Sequence, residues 1–175
     1  MGIRPGRTIT TPRRAWTRTA KTKVTRAYIT GVPDSKMRRF TMGAAKIENC
    51  DIEATLFAGL TCQMRDNAME AARVMANKVF EKKMLLENYF FRVRVYPHQC
   101  LRMNQMASGA GADRISSGMR LSFGTPCGRA VAVKKGQALM TVWSTKQYEA
   151  DMKEGLKRAA RKLPSGCTIK IKKLK

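Results

Sequence analysis

Residues 53–83, EATLFAGLTCQMRDNAMEAARVMANKVFEKK, decide the fold. The hydrophobic period changes once inside this stretch. From Glu53 to Met64 every second residue is apolar: Ala54, Leu56, Ala58, Leu60, Cys62 and Met64 share one face, and Thr55, Phe57, Gly59, Thr61 and Gln63 the other. A period of two predicts one half-buried strand. From Asp66 to Lys83, Ala68, Ala72, Met75, Ala76, Val79 and Phe80 recur at three and four, which is the period of an amphipathic helix. Asp66 and Glu70 in its first turn, with Lys78, Lys82 and Lys83 toward its end, complement the helix macrodipole. The prediction is a helix packed on a sheet.

Downstream, residues 89–96 read YFFRVRVY, a strand with Phe91, Val93 and Val95 inward and Arg92 and Arg94 in a row outward, ending at Pro97. Two further strands are predicted over 130–135 and 138–144, with Gly136 at the turn between them. Ser144-Thr145-Lys146-Gln147 fits a capping box, which would open a second helix. The apolar stripe of that helix is Tyr148, Met152, Leu156, Ala159, Ala160 and Leu163, and Pro164-Ser165-Gly166 ends it. Cys167, Ile169 and Ile171 alternate with Thr168, Lys170 and Lys172 in a last strand. Upstream, Gly31 and Pro33-Asp34 mark a turn, followed directly by Lys36, Arg38 and Arg39. Before it, Arg4, Arg7, Arg13, Arg14, Arg18, Lys21, Lys23 and Arg26 are spaced by Thr, Pro and Gly with almost no apolar period; only Trp16 and Tyr28 could stack. The division expected is an extended basic arm over 1–27 that orders against RNA, then a single domain over 28–175.

A short apolar run, Cys100, Leu101 and Met103, leads into a long Gly/Ser-rich stretch, HQCLRMNQMASGAGADRISSGMRLSFGTPCG, residues 98–128, and another, Ala130 to Val133, leads out. A loop of this length inside a domain is usually functional. Its charge is one-sided, with Arg102, Arg114, Arg120 and Arg129 beside it against the single acid Asp113. Spaced arginines on a permissive backbone suit a segment that follows phosphates. Asp113 is expected to fix a local turn, leaving Arg114 swung outward. With few apolar residues, the segment is expected to add little to stability.

The charge points the same way. Of 175 residues 35 are Lys or Arg and 12 Asp or Glu, a net charge of +23, with a pI near 10.6. Seven of the 12 acids fall within 47–87, a segment expected to face away from the polyanion that neutralises the rest. An apolar content of 43% is enough for a core. No apolar run approaches the ~18 residues of a spanning helix, and no signal-peptide or myristoylation pattern opens the chain, so an intracellular, membrane-free location is expected. Five scattered cysteines, none in a C-x-x-C pair, read as reduced thiols and not as a zinc or disulfide framework. No cofactor is implied: Gly109-x-Gly111 has Arg at 114, where a dinucleotide motif needs its third glycine, and no Walker loop exists. His98, the only histidine, would point the same way as Cys100 on a strand, which leaves a Cys/His nucleophile conceivable. The commoner role is a histidine that bonds locally or stacks on a nucleotide.

Several of these segments together resemble one family. Tyr28 to Lys36 (YITGVPDSK), Glu70-Ala71-Ala72-Arg73, Phe91 to Val95, Pro97-His98 through Arg102, and above all Gly109 to Arg114, Gly118-Met119-Arg120 and Phe123-Gly124 are similar to the large-subunit ribosomal proteins called L-ten-e in archaea and eukaryotes, relatives of bacterial L-sixteen. The resemblance covers nearly the whole chain, and the end at Lys175 favours an archaeal source. It implies an α+β fold of the α/β-hammerhead type, an antiparallel sheet sandwich with two packed helices. It implies a non-enzymatic role in the cytoplasmic ribosome, binding large-subunit rRNA beside the peptidyl-transferase region. The partners implied are that rRNA, neighbouring ribosomal proteins and the tRNA acceptor arms, the last through the loop 102–118, with no independent homo-oligomer. Lys36, Arg102, Arg114 and Arg120 match the family's motifs. Two other classes stand against this reading: an RNA-acting enzyme using His98 and Cys100, and a non-specific nucleic-acid packaging protein.

Overall fold

The alternating stretch at 53–64 does not form one strand. In the computed structural model, which describes residues 5–6, 29–44, 50–107, 109–164 and 166–174, it breaks into β2 (Ile52–Ala58) and β3 (Cys62–Arg65). The two lie in different sheets. A five-stranded antiparallel sheet has the order β1-β4-β7-β2-β8, with β1 at Thr41–Gly43, β4 at Tyr89–Val93, β7 at Ala138–Ser144 and β8 at Cys167–Lys173. A three-stranded antiparallel sheet has the order β3-β6-β5, with β5 at Gln99–Met103 and β6 at Thr125–Val133.

The break is at Gly59. A Cβ there would lie 1.7 Å from the Gly166 carbonyl oxygen, so the chain turns where only glycine fits. Ala58 and Cys62 are four residues apart and both buried, which is why the period of two survives the corner. Leu60 is misread, 59% exposed at the bend, and Thr55 and Gln63 on the opposite face are buried. β6 and β7 make the same crossing through Lys134–Gln137, and the two corners are tied together. The Gly136 N–H donates to the Ala58 carbonyl at 2.8 Å, and the Ala58 N–H to the Gln137 carbonyl at 3.0 Å. Gly136 takes a φ of 79°, as the predicted turn requires.

Helix α1 (Asp66–Lys83) has the predicted bounds, but its buried stripe is turned slightly: Met69 is buried, while Ala68 and Met75 are half-buried. Phe80 is its central anchor. Its ring centroid is 5.6 Å from Tyr89 and 5.4 Å, edge-on, from Phe91. The second helix, α2 (Glu149–Ala160), closes over the same ring, with Met152, Gly155, Leu156 and Ala159 buried. The predicted capping box is absent. Ser144 is still strand, paired with both Ile52 and Tyr89, and its hydroxyl donates to the Asn88 carbonyl at 2.6 Å. A short 3-10 turn, Lys146–Tyr148, separates it from α2, and neither Thr145 nor Tyr148 caps through its side chain. One core cluster joins both helices to both sheets, from Ile52, Leu56, Met64 and Val131 to Phe80, Phe91, Met140 and Leu156.

Candidate nucleic-acid interface

The turn after Gly31 is anchored in two places. Met37 is buried, and the Lys36 backbone N–H donates to the Asp66 carboxylate at 3.0 Å. Asp66 also accepts from Asn67 N at 2.8 Å, so one buried acid holds both the first turn of α1 and the base of this loop. From β6, Arg129 Nε donates to the Pro33 carbonyl at 2.8 Å. Lys36, Arg38 and Arg39 are left exposed on a fixed support.

On β4 the predicted alternation holds: Tyr89, Phe91 and Val93 are buried, and Val95 beyond it, while Arg92 and Arg94 are exposed. The two arginines differ, however. Arg94 donates through Nε to Thr141 Oγ1 at 2.6 Å and through Nη2 to Glu53 at 3.0 Å, and its guanidinium lies 5.4 Å from the Trp143 ring centre. Glu53, one of the acids expected to face away, therefore shares the arginine face. Arg92 has no acidic partner among the described residues.

The long loop leaves β5 at Met103 and returns at Thr125. Its neck is tight. Arg102 Nη1 donates to the Phe123 carbonyl at 2.7 Å, and the guanidinium carbon sits 3.4 Å from the Phe123 ring centre, a cation–π contact. Asn104 Nδ2 donates to the Gly118 carbonyl at 3.0 Å. A Cβ on Gly124, whose φ is 77°, would stand 2.6 Å from the Asn104 nitrogen. Farther out, Gly111 at φ 75° leads into a 3-10 turn, Ala112–Arg114. The backbone and the Ser116 hydroxyl, which donates to the Ala112 carbonyl, hold this turn. Asp113 and Arg114 are both exposed, as is Arg120. The loop is less polar than its composition suggests. Met106, Ile115, Met119, Leu121 and Phe123 are all exposed, Leu121 by 82% and with a positive φ of 55°.

His98 and Cys100 differ in burial. β5 begins at Gln99, so strand parity does not reach His98, which is exposed and lies against Tyr96, its ring tilted by 54° with centres 4.7 Å apart. Cys100 is fully buried, its thiol donates to the Leu101 carbonyl at 3.6 Å, and burial pushes that thiol up, with Cys127 adding to the rise. A buried thiol pushed up in this way is a poor nucleophile. None of the five cysteines is in a disulfide. The predicted arm residues Arg4, Arg7, Arg13, Arg14, Arg18, Lys21, Lys23 and Arg26 lie outside the described residues.

Of the predicted bases that are described, Lys36, Arg38, Arg39, Arg92, Arg114 and Arg120 stand exposed, while Arg94, Arg102 and Arg129 hold the fold in place. The Phe90–Trp143 pair and the exposed apolar loop residues are functional candidates that periodicity and charge did not single out. Their signal was present as aromatic and apolar residues interleaved with arginine. A basic α+β body presenting arginines on two loops and a sheet face, with no workable nucleophile at His98/Cys100, has the construction of a nucleic-acid-binding protein. The comparisons narrow this class. The profile of the family described as "Ribosomal protein L16p/L10e" matches residues 16–170, and the chain belongs to that family. It is 43% identical over 162 residues to the "Large ribosomal subunit protein uL16" of Archaeoglobus fulgidus, covering 93% of this chain and 92% of that one. The Methanococcus maripaludis protein of the same name is 41% identical over 99% of this chain and 96% of its own length. That of Staphylothermus marinus is 46% identical over 86% of each. The relatives place the chain in the archaeal branch, and the family is not one of enzymes.

Proposed function

We propose that this chain, a structural constituent of the large ribosomal subunit, binds large-subunit rRNA beside the peptidyl-transferase region in the cytoplasmic ribosome and steadies tRNA acceptor arms with the loop 102–118. The body, of the α/β-hammerhead type, seats on rRNA through Lys36, Arg38, Arg39, Arg92 and His98. The basic arm over 1–27 adds further phosphate contacts, and neighbouring ribosomal proteins cover other surfaces. One observation supports the loop's part in this: a closed neck at Arg102–Phe123 and Asn104–Gly118, where Arg120 stands exposed, carries an end where Arg114 is exposed. Charge set on a braced loop reaches an RNA surface that the sheets cannot enter.

The test replaces residues 106–116 with a short Gly-Ser turn in reconstituted large subunits. The protein should fold and occupy the subunit, and peptidyl transfer should fall. Arg114→Ala should give a milder loss, about 1.5–3 kcal/mol for one charge-assisted contact. Full activity at full occupancy would place the function in the body and make the loop a spacer.

A further inference from the structure

The outer face of the five-stranded sheet carries aromatic and basic groups that neither the arm nor the loop uses. Strand register aligns Gly43, Phe90, Trp143, Glu53 and Lys172 in one row across the sheet, and Thr41, Arg92, Thr141, Thr55 and Lys170 in the next. Phe90 and Trp143 are stacked, with centroids 5.2 Å apart at 27°, and both are half-buried. Beside them Arg92, Val93, Arg94 and Trp143 enclose a depression of about 330 Å³, within the lower part of the roughly 300–1,000 Å³ range of ligand sites. Beneath Arg94 lie the buried hydroxyls of Thr55 and Thr141, bonded to each other at 3.1 Å. Arg94 is locked by Thr141 and Glu53, so its guanidinium plane is set before any ligand arrives. Arg92, Lys170 and Lys172 are exposed around it, and the Lys170 ammonium lies 5.5 Å from the Phe57 ring centre.

Fixed aromatic and guanidinium planes, flanked by exposed cations on an open sheet, suit a platform on which single-stranded nucleic acid stacks its bases and rests its phosphates. We infer that this face takes an unpaired RNA nucleotide, its base stacked in the depression against Trp143 and the Arg94 plane, its flanking phosphates on Arg92, Lys170 and Lys172. The excess of positive charge around the depression selects a polyanion, and the aromatic pair selects one with bases. The inference rests on the RNA-binding reading above and adds to it the state of the nucleotide and the place where it binds.

The experiment uses the full chain with Trp16→Phe, so that Trp143 is the only tryptophan left. Its emission is titrated with a short single-stranded oligoadenylate, with an abasic oligonucleotide of equal length, and with an acidic peptide. Oligoadenylate should quench saturably and bind more tightly than the abasic strand. Phe90→Leu, which removes the ring behind Trp143, should weaken oligoadenylate by up to about fivefold, the low end of a stacking loss, while leaving the abasic strand unchanged. Arg92→Ala, at an exposed position that does not threaten folding, should weaken both. Equal binding of the abasic strand would reduce the face to a charged coat, and preference for the acidic peptide would make it a protein-docking face; either overturns the inference. So does unchanged Trp143 emission when the same protein still shifts an rRNA fragment in a gel. Loss of that gel shift as well would instead remove the RNA-binding reading itself.

Discussion

Gly155 shows how a single absent methyl fixes a packing distance. A Cβ there would sit 2.3 Å from the Phe80 ring, which is buried between α1, α2 and β4. Gly155→Ala would gain about 1 kcal/mol in helix propensity. Overpacking a closed core costs about 1–3 kcal/mol. The steric cost wins because Phe80 is also in ring contact with Tyr89 and Phe91 and has no empty side to move into. Thermal unfolding should therefore fall by several degrees; an unchanged or raised midpoint would mean that the helices can separate at no cost. The arginines separate at the same scale. Arg102 holds Phe123 at the loop neck and Arg114 stands exposed, so Arg102→Ala should lower stability measurably, while Arg114→Ala stays within about 0.5 kcal/mol of the parent. Equal effects in urea unfolding would contradict this. Sequence shows where a charge is but not what already holds it. Lys36 and Arg92 were legible as exposed bases, whereas Arg94 and Arg102 were readable only once Glu53, Thr141 and Phe123 had been brought beside them from positions distant in sequence.

At the scale of elements, helix α1 was legible nearly to the residue because eighteen residues of one period leave little ambiguity. The strand at 53–64 was not, since the corner at Gly59–Thr61 spans an odd number of residues and keeps the inward parity. The capping signal failed because tertiary pairing kept Ser144 extended. α1 and α2 are also joined at their surface, where Lys83 bridges Asp151 at 2.8 Å and Glu154 at 2.7 Å. Hydrogen bonds to Lys83 and Arg158 lower the Glu154 carboxyl below its ordinary value. A carboxyl lowered by folding contributes stability above its unfolded pKa, near ~4.3, and that contribution is lost as pH falls through the folded value. Below pH ~4.3 the helix pair should loosen. Glu154→Gln should flatten the drop in urea midpoint between neutral and acid pH, by a modest amount because the bridge is exposed and screened. An identical drop in the variant would assign the acid sensitivity elsewhere.

For the whole molecule, the excess of 23 positive charges was legible from composition, and so was the kind of partner. The division of those charges was not. If Lys36, Arg38, Arg39, Arg92, Arg114 and Arg120 each neutralise one phosphate, they alone give a log–log salt slope of about −4 to −5 for rRNA binding, at −0.7 to −0.9 per phosphate. A nearly flat plot would exclude a phosphate-dominated interface. Removing residues 1–26 should make the slope shallower while leaving thermal unfolding of the body in place; collapse of the body would make the arm part of the core. The sheet order also sets a timetable for synthesis. β2 lies between β7 and β8, and Thr55 meets its hydroxyl partner Thr141 only 86 residues later, then Lys170 in β8. While the nascent chain leaves the exit tunnel, Ile52–Ala58 therefore waits with both edges open until β7 has emerged, and with one still open until β8 follows. An open apolar edge is a template for pairing with other chains. A chain ending at Gly166, without β8, should accordingly aggregate when translated alone. If it stayed monomeric, with the melting temperature of the full chain, the last strand would not be what closes the sheet against its neighbours in the cell.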